Sequence, residues 1–100
     1  MSRARIDIPE KEIAEFCRRN RIKRLSLFGS VLRDDFTDES DVDVLVEFEE
    51  GHTPGLRFFT MQRELSDILG REVELHTKGF LSPNFRDDVI REAEVHYDIP

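Results

Sequence analysis

Hydrophobic positions along the chain change period several times, and each change marks an element. Ile13, Phe16 and Cys17 recur at spacings of three and four, which predicts a helix over about 9–19. Pro9 suits its first turn, Glu10 and Glu12 favour the positive end of its dipole, and Asn20 offers a stop. Ile22 to Phe28 reads as a first strand, left through Gly29, and Ser30-Val31-Leu32-Arg33 as one short helical turn. Asp41 to Phe48 alternates as a second strand: Asp41 and Asp43 face one way, and Val42, Val44 and Val46 the other. Turn chemistry in Glu49-Glu50-Gly51-His52-Thr53-Pro54-Gly55 ends it. Phe58, Met61, Leu65, Ile68 and Leu69 then form the stripe of a longer helix over about 55–69, closed by Gly70.

Arg71 to Thr77 predicts a third strand, with Val73 and Leu75 on one face and Glu72, Glu74 and His76 on the other. Ser82, as a cap before Pro83, opens a last helix with Asp87 and Asp88 near its start. Val89, Ile90, Ala93 and Tyr97 are its expected buried side. The order α-β-turn-β-α-β-α implies an α/β (α+β) fold, a small mixed sheet flanked by helices.

Composition narrows the class. At 100 residues the chain reads as one domain, 1–100, with room for one core but none for a separate substrate lobe. With 38% hydrophobic and 37% charged residues it is a globular protein with a charged surface. No apolar stretch approaches the roughly 20 residues that cross a bilayer. The start Met-Ser-Arg-Ala-Arg-Ile-Asp shows no secretory signal, and a lone Cys17 fits a reducing interior; a cytoplasmic protein is expected.

The net charge of -7 hides a segregation. Residues 34–50 hold nine acids and no Lys or Arg, just after the basic cluster Arg18, Arg19, Arg21, Lys23 and Arg24. A polyanion would be repelled by the acidic stretch, so generic nucleic-acid binding is disfavoured, while self-association stays open. The basic cluster reads as a helix end and solvated surface, with partner binding second.

The chemistry concentrates between residues 25 and 48. Two carboxylates at a strand head, opposite a Gly-Ser corner, suit a divalent cation and a phosphate chain, and the short turn after Gly29 presents free backbone N–H groups to an anion. Glu74, on a later strand, offers a third carboxylate. His52 in a turn and His76 on a strand face read as surface histidines, because no Cys or second His stands at zinc-ligand spacing. Cys17 reads as a small core hydrophobe, and Ser30 as a phosphate-binding hydroxyl rather than a nucleophile. Arg33 fits a phosphate contact or an ion pair with the acidic loop equally well.

Gly29-Ser30, ten residues, then Asp41-Val42-Asp43 resembles the signature of the DNA polymerase β-like nucleotidyltransferase superfamily. The flanks Leu25-Ser26-Leu27-Phe28 and Val44-Leu45-Val46-Glu47-Phe48 are similar to its small prokaryotic members, the minimal nucleotidyltransferase (MNT) antitoxins. The likeness extends through Thr53-Pro54-Gly55, Leu69-Gly70-Arg71 and Ile90-Arg91-Glu92-Ala93. It implies that Gly29, Ser30 and Arg33 bind the nucleotide. It also implies that Asp41, Asp43 and Glu74 are catalytic and ligate Mg2+. Glu74 stands where the family more often has Asp, and Asp34 where a glycine is common.

The implied reaction moves AMP from ATP to a tyrosine of a partner HEPN-domain ribonuclease toxin. The alternative is a catalytically weak module that neutralises its toxin by direct complex formation.

Overall fold

The computed structural model describes residues 4–99, so the charged head Met1-Ser2-Arg3 lies outside the described residues. The elements are α1 (Glu10–Arg19), β1 (Ile22–Phe28), β2 (Val42–Phe48), α2 (Arg57–Leu69), β3 (Val73–His76), α3 (Arg86–Glu92) and β4 (Glu94–Asp98). Short 3-10 turns occupy Gly29–Leu32 and Lys78–Phe80. The strands form one mixed sheet in the order β3-β2-β1-β4, with β2 and β3 parallel and the other pairs antiparallel. None of the helices described is long and apolar enough to cross a membrane.

One face of the sheet is covered by α1 and α2. Ile13, Phe16 and Cys17 of α1, with Met61 and Leu65 of α2, pack on Leu25, Leu27, Val42, Val44, Val46, Val73 and Leu75. Strict alternation would set Ile22 on the opposite face from Leu25. Between Ile22 and Arg24 the register against β2 slips by one residue, and the bulge at Lys23 returns Ile22 to the core. Gly70 ends α2 in the left-handed conformation at φ 67, as its position after the apolar stripe predicts.

The other face holds a smaller cluster of Phe28, Leu45 and Leu81, against which Val89 and Ala93 pack. This is where the expected last helix divides. Only Arg86–Glu92 is helical, and Glu94–Asp98 leaves it as a strand that pairs with β1. Ile90 is exposed, and Tyr97 packs on the main core from β4. Ser82 caps the turn that leads into α3: its Oγ accepts the Asn84 N–H at 3.3 Å and its carbonyl accepts from the Phe85 and Arg86 N–H groups.

The open edge of β1 is the physical reason for β4. A helix through residue 97 would leave those β1 backbone groups to water, whereas β4 satisfies them. The pairing is bulged, since Leu25 opposes Tyr97 while Ser26 opposes Val95, leaving His96 as the extra residue. Its imidazole bridges two carboxylates, Nδ1 at 2.8 Å from Glu10 and Nε2 at 2.7 Å from Glu94, tying β4 to the start of α1.

Burial pushes the Cys17 thiol up to about 12, against a smaller opposing effect of the Arg18 charge. It is therefore a neutral core group at any pH below that value. Native protein at pH 8 should leave a thiol reagent such as iodoacetamide unreacted for hours and consume it once guanidinium unfolds the chain; labelling of native protein at the free-thiol rate would contradict this burial.

Candidate active site

Antiparallel pairing sets Phe28, the last residue of β1, opposite Asp43 near the head of β2. The chain then leaves β1 through Gly29 at φ +78, a conformation L side chains rarely adopt. A Cβ on Gly29 would stand 2.6 Å from Asp43 Oδ2. The glycine is thus required by its backbone, and a side chain there would also turn the Asp43 carboxylate out of its place.

Parallel pairing of β3 with β2 matches Asp43 with Glu74 and Leu45 with His76. Side chains of paired residues share a face, so Glu74 and His76 rise on the side of Asp43. The ligand atoms of Asp43, Glu74 and His76 all lie within 4.8 Å of one another. His76 Nε2 is 3.2 Å from Asp43 Oδ1, and its ring meets Phe28 edge to face with centroids 5.1 Å apart. Asp43 and His76 keep about a quarter of their side-chain surface, 26% and 23%. Polar atoms are held in place yet open to a ligand.

The other residues named from the sequence lie outside this group. Asp41 lies one residue ahead of β2 and is exposed, and it is not a member of the group. Ser30 is half-buried in the 3-10 turn directly after the glycine that Asp43 touches. Its carbonyl accepts the Arg33 N–H at 2.8 Å. Arg33 pairs with Asp35 at 3.4 Å, the ion-pair alternative of the two expected for it. Asp34 is exposed and pairs with Arg5.

His76 is the residue that sequence reasoning misplaced. Its face was readable from alternation in β3, but its neighbour depends on a parallel register with β2 that no local pattern encodes. It is no free surface histidine but a partner of Asp43.

Farther along β2, Glu47 receives Lys78 Nζ at 3.0 Å and Arg24 at 3.5 Å. A hydrogen bond from Arg24 to Asp98, then the charges of Asp98 and Glu47, raise the guanidinium further above its usual range. A cleft of about 830 Å³ opens beyond this pair, lined by Phe48, Pro54, Phe58, Phe59 and Lys78 among others. It shares no lining residue with the Asp43 group. The chemistry belongs to the Asp43 group, because there two carboxylates and an imidazole bring one ligand atom each within 4.8 Å of one another beside the Gly29 turn, whereas His96 holds its two carboxylates on different ring nitrogens.

That donor set fits a divalent cation. Two carboxylates about 4 Å apart repel by roughly 4 kcal/mol at an effective dielectric near 20, and a cation between them relieves the repulsion. Partial exposure leaves coordination positions for phosphate oxygens.

Residues 10–96 match the nucleotidyltransferase domain family. The chain is 36% identical over 85 residues to the protein adenylyltransferase MntA of Thermococcus cleftensis, covering 84% of this chain and 81% of that protein. A solved structure described as a minimal nucleotidyltransferase superposes with TM-score 0.70 at 35% identity, over 91% of this chain and 87% of that one. An MNT antitoxin in complex with a tri-AMPylated HEPN toxin of Shewanella oneidensis shares the fold, with TM-score 0.59 at 18% identity, over 90% and 70% of the two chains. A domain match spanning most of the chain, close adenylyltransferase relatives and the mixed sheet described above lead to one assignment: this chain belongs to the nucleotidyltransferase family, among its minimal members, and is a transferase.

Proposed function

We propose that this chain is an antitoxin that transfers AMP from ATP to a tyrosine of a partner HEPN ribonuclease toxin, with Mg2+ as the cation. The convergence of Asp43 and Glu74 beside Gly29 carries the reading. The names of the relatives support its direction: one is a protein adenylyltransferase, and a fold neighbour sits on an AMPylated HEPN toxin.

In this reading Gly29 and Ser30 seat the triphosphate, and Arg33 turns from Asp35 to a phosphate oxygen. Asp43, with Asp41 swinging in from the strand head, holds Mg2+, which neutralises phosphate charge when bound. Glu74 is a third ligand or accepts the phenolic proton. The tyrosine oxygen forms a bond to the α-phosphorus as the bond to the bridging oxygen of the leaving pyrophosphate breaks. The setting is the cytoplasm.

One observation favours the alternative of a binding module: Asp41 lies outside the donor group. An Asp43→Asn chain that still neutralises the toxin in cells would support that reading.

Two outcomes test the transferase. Incubation with labelled ATP, Mg2+ and the toxin should label the toxin, and Asp43→Asn should lower the rate at least about 100-fold, the scale of lost charge stabilisation at a transition state. An unlabelled toxin would refute it. Mg2+ with ATP at about 100 times Kd should stabilise the fold by about 2.7 kcal/mol, read as a rise of about 13 °C in Tm, and Asp43→Asn should remove most of it.

Gly29→Ala should cost about 1–3 kcal/mol and lower Tm by about 5–15 °C, because the new methyl group meets both a disfavoured φ and the Asp43 carboxylate. It should also weaken ATP binding. Unchanged Tm and affinity would contradict the close approach.

A further inference from the structure

We propose that His76 is a metal ligand of this site, so that the chain favours a first-row transition ion over Mg2+. The proposal rests on the transferase reading of the same site and adds a donor that its carboxylates lack.

Three observations converge. His76 presents Nε2, the tip of its ring, to Asp43 Oδ1 at 3.2 Å. Ligand atoms on neighbouring vertices of an octahedral ion with bonds of about 2.1 Å stand about 3 Å apart. The pair is therefore already at ligand-to-ligand spacing. Second, Glu74 completes a set whose donor atoms span no more than 4.8 Å, so one ion reaches all three after small rotations. Third, the edge contact with Phe28 restrains the ring, so little freedom remains to be lost on binding.

Donor chemistry then sets the selectivity. Mg2+ prefers oxygen ligands and gains little from an imidazole. First-row ions accept nitrogen, with affinity rising from Mn2+ toward Cu2+. Mn2+ is the weakest of that series, so any preference measured with it is a lower bound. For ligation the neutral ring carries its proton on Nδ1, leaving the Nε2 lone pair for the ion.

The competing role is a hydrogen bond from His76 that orients Asp43 without touching metal. The two differ in what surrounds the ion. The full chain is titrated calorimetrically with MnCl2 and with MgCl2, and Mn2+-loaded protein is examined by pulsed electron paramagnetic resonance for coupling to 14N. Nucleotide is left out because its base carries nitrogens of its own. His76→Val removes the donor, and His76→Gln is the second variant should the first fail to fold by circular dichroism.

Wild type should bind Mn2+ at least about tenfold more tightly than Mg2+ and show 14N coupling typical of imidazole. Either His76 variant should lose the coupling and most of the preference, with Mg2+ affinity nearly unchanged. Bound Mn2+ without 14N coupling, or equal losses for both ions, would overturn the proposal. If Asp43→Asn abolishes Mn2+ binding while the His76 variants do not, His76 is no ligand and the transferase reading stands. If neither ion binds wild type in the absence of nucleotide, the His76 proposal falls, and the transferase reading is decided separately by labelling of the toxin with Mg2+ and ATP.

Discussion

The site exists because β1 and β2 pair with Phe28 opposite Asp43. That register brings a carboxylate to the point where the chain turns out of β1, and a glycine there takes the positive φ of the turn while leaving the carboxylate undisturbed. A slip by one residue would send Asp43 into the core and a valine toward the turn, at the cost of burying an unpaired charge. The hydrophobic face of β2, Val42, Val44 and Val46, holds the register by being fully buried beneath α1 and α2. Stability and chemistry thus draw on the same alternation.

A second constraint completes the group. β3 runs parallel to β2, which requires the crossover through α2. Gln62 and Ser66 of α2 fix that crossover at the strand: Gln62 accepts the Leu75 N–H at 2.9 Å, and Ser66 Oγ accepts the Val73 N–H at 3.0 Å. These bonds set the height of β3, and through it the position of Glu74 and His76 relative to Asp43. The acidic loop between the turn and β2 is relieved mainly at its edges, by Arg5 on Asp34, Arg33 on Asp35 and Arg71 on Asp38. These pairs are exposed at the carboxylate end, so each adds little to stability.

Much of this was legible in the residues. The 22–28 strand, the short turn after it and the end of α2 at Gly70 follow from local pattern, and so does the placing of Asp43 away from the buried Val42, Val44 and Val46. What stayed hidden depends on distant partners. Val89, Ile90, Ala93 and Tyr97 have helical spacing, yet the unpaired edge of β1 recruits residues 94–98 as a strand, a demand that no window around them contains. A bulge at His96 further disguises the alternation there. The role of His76 was hidden for the same reason: it was readable as facing outward from β3, but what it faces is decided by a strand thirty residues earlier.

The central claim is that nucleotide phosphates sit at the Gly29-Ser30 corner against Asp43, and it is tested most directly by a crystal structure of the chain with Mg2+ and a non-hydrolysable ATP analogue. The account requires the triphosphate over Gly29 and Ser30, with a cation between its oxygens and the Asp43 carboxylate. A nucleotide lodged instead in the cleft beside Phe58 and Phe59, with Asp43 untouched, would contradict it.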